Sequence, residues 1–336
     1  MTHPSWPKTL LRPLLRTRLK PRHPAKAAPS QGFTLIELLV TVVVGSVIVA
    51  GLLYVVVELL QINRREEVLT QTQQDTQRAL DYITSDLREA VYVYTKPEDV
   101  TNIVNQVNDL PDGTPVLAFW RLNPVDPSNT FWPVNCTTAF QSDPVKQAEC
   151  DTLKIRQSFY TLVIYLQQNN SATDPWGGES RIIRYELPKY SASNVASLTP
   201  RRGYWDPTAT GNSFNSWKRA LALVPGQNVV PGNTAGTSTV LVDYVDTLEN
   251  PDDITCPNST AVLLSDSFYA CVSNDASTTG TTNQTPQGVN QTVEIFLRGN
   301  ATANRPGLIT TYSEAGRTPT LRAEVLIRGV LDKAGT

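Results

Sequence analysis

The sequence predicts an α+β protein in which one long N-terminal helix packs on an antiparallel β-sheet domain. Three observations carry that expectation. From Leu38 to Val57 no charged residue interrupts a run of Val, Leu, Ile and small residues, and at helical rise such a run matches the hydrocarbon thickness of a bilayer. Beyond it, apolar residues recur at three- and four-residue steps as far as Tyr94, the period of a helix with one buried stripe. After Pro97 come short runs rich in β-branched and aromatic residues, set between polar, Pro- and Gly-bearing loops, which read as strands.

Residues 1–32 hold seven Lys or Arg, six prolines and no acid. Proline at that density prevents a stable helix. Basic residues beside a span keep their flank in the cytoplasm, so the chain is expected to cross the membrane once, N-terminus in and C-terminus out. An ordinary secretory signal would have a shorter apolar stretch, no internal acid and a small-residue cleavage site after it, and an organellar transit peptide would be an amphipathic helix. Neither description fits. Residues 33–57 are expected as the transmembrane helix and 58–96 as its amphipathic continuation. There Leu69, Thr72, Thr76, Leu80, Ile83, Leu87, Val91 and Tyr94 form the stripe, while Asp75, Arg78, Asp81 and Arg88 lie on the wet face. Pro97 is expected to end the helix. A coiled-coil stalk would need heptads longer and poorer in Thr than these.

Residues 97–336 are expected to form a β-rich domain outside the membrane. Its clearest strands are Val116–Arg121, Phe159–Leu166, Arg181–Leu187, Thr239–Val245, Thr292–Arg298 and Leu321–Leu331. In the fifth, Val293, Ile295 and Leu297 alternate with Glu294 and Arg298, the pattern of a sheet with one covered face. The amphipathic half of the long helix is its natural cover.

One residue breaks the apolar pattern. Glu37 stands in "QGFTLIELLV", Gln31–Val40, within the first turns of the membrane helix, where an unpaired carboxylate costs about 3 kcal/mol at depth and asks for a partner or a function. "GFTLIE", after a basic leader and before an apolar helix, resembles the type III signal of type IV pilins and the pseudopilins of type II secretion. The resemblance implies that a prepilin peptidase cuts between Gly32 and Phe33 on the cytoplasmic face, that Phe33 is N-methylated, and that Glu37 becomes the fifth residue of the mature chain. It implies partners as well: other pilins or pseudopilins of a filament, and an inner-membrane assembly platform. A neighbour's Glu37 can then meet the new amine on Phe33, and breaking a buried pair of that kind is strongly destabilising. The alternative is an uncleaved anchor in which Glu37 snorkels to the headgroups.

The order of one helix followed by many antiparallel strands resembles the larger minor pseudopilins, of the PilW- and J-type. "ELLQINRREEVLTQTQQDTQRALDYITSDLREAVYVY" is similar to the pseudopilin of the cyanobacterial hormogonium polysaccharide secretion system, which would imply a role in polysaccharide secretion and gliding motility. In this family the subunit at the extreme tip typically lacks the acid, so Glu37 implies a place below it.

Composition narrows the rest. Without the leader the chain has 22 basic and 31 acidic residues, a net charge near −9, which is no nucleic-acid binder. Both histidines, His3 and His23, lie in the leader, removing His-based triads and imidazole metal sites from the processed chain. No phosphate-binding Gly motif is present. The sequence therefore points to a structural protein without enzyme activity, cofactor or metal. Acid clusters at Asp109–Asp112 and Glu249–Asp253 lack the ligand spacing of a calcium loop and read as solvated turns.

Four cysteines, Cys136, Cys150, Cys256 and Cys271, would face an oxidising compartment. They allow three connectivities; proximity in sequence favours Cys136–Cys150 and Cys256–Cys271, with buried thiols as the alternative. Loop tryptophans such as Trp176 and Trp205 either stack on sugars or anchor their loops by burial, so a polysaccharide contact stays open. Ser273–Thr292, poor in apolar residues, reads as an exposed loop. The expected site is the inner membrane, with the domain in the periplasm and the chain in a filament after assembly. A membrane-anchored binding module outside any filament is the competing reading.

Overall fold

The computed structural model describes residues 32–247, 262–264, 267–274, 290–301 and 316–327. The leader before Gly32, Cys256, the cluster Glu249–Asp253, most of Ser273–Thr292 and the end of the last predicted strand lie outside the described residues. Within them the architecture is α+β: a long N-terminal helix followed by antiparallel sheets. The chain divides into two compact units, Met1–Glu58 and Leu59–Thr336.

Helix α1 runs from Leu35 to Arg88. Its first half carries apolar residues on every side, and each Leu, Ile and Val from Leu35 to Val57 is exposed. In its last turns Thr72, Thr76, Ala79, Leu80, Ile83, Thr84, Asp86 and Leu87 are buried at the helical spacing read from sequence. The helix stops at Arg88 and not near Tyr94. Ala90–Val93 forms strand β1, pairing with β2 so that Tyr92 faces Trp120 and Val93 faces Phe119. "AVYV" satisfies helical spacing and strand alternation equally, and pairing with β2 decides the matter. Pro97 likewise begins a helix, α2 (Pro97–Val104), at the first position, where its missing N–H costs nothing.

The strands fall into two sheets, a division that strand-by-strand reading does not supply. The first has the order β1-β2-β3-β4-β5, built from β2 (Thr114–Pro124), β3 (Ser158–Asn169), β4 (Ser180–Pro188) and β5 (Thr237–Val245) beside β1. The second has the order β6-β7-β8-β9, from β6 (Val262–Leu264), β7 (Phe268–Asn274), β8 (Gln291–Leu297) and β9 (Leu321–Ile327). In β8 the residues Val293, Ile295 and Leu297 are buried in strict alternation. β3 and β4 are buried on both faces, which is why they read as nearly continuous apolar runs.

One core joins these layers: Leu80, Ile83 and Leu87 of α1 lie with Phe119, Leu162, Ile164, Tyr185, Ile295 and Val325. Gln291 ties the two sheets together, donating to the Val93 carbonyl at 3.1 Å and accepting from its N–H at 3.3 Å. Gly299 lets α1 approach the second sheet, since a Cβ there would lie 2.9 Å from Thr72 and Thr76. A smaller core gathers Phe131, Cys136, Cys150, Leu153, Tyr190 and Leu198. It contains helices α3 (Cys136–Ala139) and α4 (Pro144–Arg156), which carry Cys136 and Cys150, bonded to each other with Cα atoms 5.6 Å apart. Cys271 is also disulfide-bonded; Cys256, its partner by sequence proximity, is among the residues not described.

Candidate functional site

The N-terminal segment is built by a single helix start. Gly32, Phe33 and Thr34 precede α1 in non-helical backbone, and the space around Gly32 is open. Thr34 caps the helix: its carbonyl accepts from the N–H of Glu37 at 3.1 Å and of Leu38 at 3.2 Å, and its Oγ1 accepts from Glu37 N–H at 3.3 Å. A Thr cap satisfies amides that would otherwise be orphaned in an apolar setting. The Gly32–Phe33 bond therefore lies in open chain one residue before the cap. Phe33 is 80% exposed.

Glu37 occupies the first turn of α1, where the positive end of the helix dipole favours a carboxylate. Its side chain has no partner among the described residues, and it is the only charged group from Leu35 to Val57. The hydroxyls in the same stretch are satisfied internally. Thr41 donates to the Leu38 carbonyl at 2.9 Å and Ser46 to the Val43 carbonyl at 2.7 Å, as polar groups in an apolar medium must. Burying a Val, Leu or Ile side chain is worth about 1.5–3 kcal/mol, so a surface of this length left in water would forgo tens of kcal/mol. Among the described residues α1 is the one helix long and apolar enough to cross a membrane.

At the other end of α1 a second carboxylate is fully partnered. Asp86 receives the Arg184 guanidinium at 2.8 Å, Arg121 at 3.2 Å and the Tyr165 hydroxyl at 2.8 Å. Arg184 also bonds Glu186 and lies over the Tyr82 ring. Burial alone would lower the Arg184 pKa, but its hydrogen bond and charge pairing with Asp86 more than offset this and raise it; burial and then Asp86 also push the Tyr165 hydroxyl up. The cluster clamps the last turn of α1 to β2, β3 and β4. Its sequence signal is faint: an acid between Ile83 and Leu87, near a helix C-terminus whose dipole disfavours it.

Other expected sites resolve differently. Asp109 accepts bonds from the Tyr185 hydroxyl, Thr234 Oγ1 and Gly236 N–H, so this carboxylate latches a loop to the sheet. Trp120 and Trp217 are buried and packed edge-on to one another, and Trp132 donates its indole N–H to the Asp126 carbonyl at 2.8 Å; all three anchor the fold. Trp176 is 43% exposed, and Trp205 is half-buried.

The prokaryotic N-terminal methylation motif, the signal of type IV pilins and pseudopilins, matches residues 28–53, which span Gly32, Phe33, Glu37 and most of the apolar helix. No curated protein and no solved structure matches the chain.

Proposed function

We propose that this protein is a minor pseudopilin, a structural subunit of a filament of the type IV pilus or type II secretion kind. Prepilin peptidase cuts between Gly32 and Phe33, the amine of Phe33 is methylated, and the apolar half of α1 passes from the bilayer into a bundle of like helices. The observation that carries this is the pairing of a charge-free, outward-facing apolar helix with a single unpartnered Glu37 in its first turn. In a dry helix bundle that carboxylate requires a cation. Processing creates one four residues away on every subunit, and we assign a neighbouring subunit's amine as the partner. Pairing across subunits calls for an axial offset of about 6 Å at a rise of 1.5 Å per residue.

The chain sits in the inner membrane with its N-terminus in the cytoplasm and residues 97–336 in the periplasm, which the basic leader supports. A role in polysaccharide secretion and gliding rests on the resemblance of Glu58–Tyr94 to the hormogonium pseudopilin, and a place below the filament tip on the presence of Glu37. The test is incorporation. Glu37→Ala protein is expected to be processed and to remain in the membrane, while cross-linking to sibling subunits and filament function fall to background. Normal cross-linking in that variant would reject the pairing mechanism, whereas absence of cross-linking to sibling subunits in the unaltered chain would leave a membrane-anchored binding module as the better description.

A further inference from the structure

Two long connections leave the same end of the first sheet. Residues 125–157 join β2 to β3 and residues 189–236 join β4 to β5, and the paired registers put Pro124, Ser158, Pro188 and Thr237 together at that end. Hairpin strands need only a few residues to turn, and connections this long in a compact domain are uncommon unless they serve a function. Here they pack on each other around the smaller core, closed by the Cys136–Cys150 bond. Lys189 locks them from within. Its ammonium bonds Glu149 of α4, from the first connection, and Asp206, from the second, at 3.0 Å.

That ion triad forms the floor of a cleft of about 500 Å³ between one face of α4 and the turns 206–209 and 226–229, a size that suits a small ligand. Its chemistry is specific in three respects. The charges cancel, with Lys189 and Arg156 against Glu149 and Asp206, so the cleft selects for neither cations nor anions. The side chains of Arg156 and Gln227 make no hydrogen bond among the described residues, leaving planar donors and an acceptor at the rim. The half-buried Trp205 ring supplies an apolar surface beside them. A neutral molecule that carries many hydroxyls on one side and exposed C–H on the other is complementary to such a lining, through directed hydrogen bonds and contact with the ring.

We propose that this cleft binds a neutral saccharide. The proposal is independent of filament assembly, since every residue it uses lies between β2 and β5. It also places the saccharide contact at one of the two tryptophans singled out in the sequence, Trp205, and not at Trp176, which does not line the cleft.

The test is a calorimetric titration of the purified full chain, in a zwitterionic detergent free of sugar headgroups, with short neutral oligosaccharides of glucose, galactose and mannose and with their sulfated counterparts. Saturable binding of a neutral oligosaccharide is expected. Arg156→Ala and Gln227→Ala each remove a rim hydrogen bond and are expected to weaken it up to roughly tenfold, at an unchanged melting temperature. Absence of saturable heat with every neutral oligosaccharide, a preference for the sulfated forms, or full affinity in the Arg156→Ala/Gln227→Ala double variant would overturn the proposal. Filament incorporation is expected to be unaffected in both single variants, which separates this outcome from the Glu37 result.

Discussion

Two carboxylates on one helix have opposite circumstances. Asp86, in the last turn of α1, is buried and meets two arginines and a tyrosine of its own chain. Glu37, in the first turn, is surrounded by apolar residues and meets no side chain among those described. An acid in an apolar setting must be compensated, and the difference shows where the compensation comes from. At the Asp86 end it is supplied by folding; at the Glu37 end folding supplies none among the described residues, and the proposed function assigns it to association. On that proposal the helix has one half that completes a domain and one half that is completed by an assembly.

The comparison can be tested in order of expected effect. The largest is at the processing bond: Gly32→Ala is expected to abolish cleavage, seen as retention of the leader on a denaturing gel, with no change in the melting of the β-domain. Next, Asp86→Ala strands the Arg184 and Arg121 guanidinium groups beneath the helix, a loss of about 3–5 kcal/mol by denaturant unfolding. Glu37→Ala, which breaks nothing within the chain, is expected to leave that unfolding curve unmoved. Equal effects of the two substitutions would dissolve the contrast. Replacing Cys136 and Cys150 with Ser opens a loop of fourteen residues' separation and is expected to cost about 3 kcal/mol. Smallest is the cap of α4, where the Asp143 side chain accepts the Lys146 N–H at 3.0 Å; Asp143→Ala is expected to cost about 1 kcal/mol.

The ion triad of Lys189, Glu149 and Asp206 adds a pH dependence of determinate sign. Burial raises the pKa of Asp206, but Lys189 and the Thr208 bonds more than offset it, and the net value lies below 3.8. A carboxylate so depressed contributes stability that is complete above its unfolded value and lost as pH falls through the folded one. Lys189 behaves conversely. Burial pulls its pKa down, Asp206 and Glu149 raise it above 10.5 overall, and its contribution is present below 10.5 and lost as pH rises through the folded value. Melting of the domain between pH 5 and pH 2 is expected to show the acid limb, and Asp206→Asn to flatten it.

The sequence announces what is local. The apolar run, Glu37 within it, and the Leu80, Ile83, Leu87 stripe each rest on residues within a few turns of one another, and the predicted strands fall within observed ones as far as they are described, save that the fifth overruns β8 by Arg298. What it conceals is decided at a distance. Ala90–Val93 leaves the helix because β2 pairs with it, and the strands divide into two sheets through contacts that no single run encodes. Lys189 is held by Glu149 and Asp206 from separate connections, and Asp109, exposed in its turn as expected, is also bonded by Tyr185 and Thr234 from distant segments. Helix α4 stands where strands and loops alone are expected, although Asp143–Pro144 at its start and Lys154 and Arg156 in its last turn are local cap and dipole signals.

Mass analysis of the N-terminal peptide from protein extracted from its native membrane tests the central claim most directly. A chain beginning at Phe33 with a methylated amine is the predicted result, because only that terminus supplies the cation that Glu37 lacks. A chain that still carries residues 1–32, or one that starts elsewhere with an unmodified amine, would contradict it.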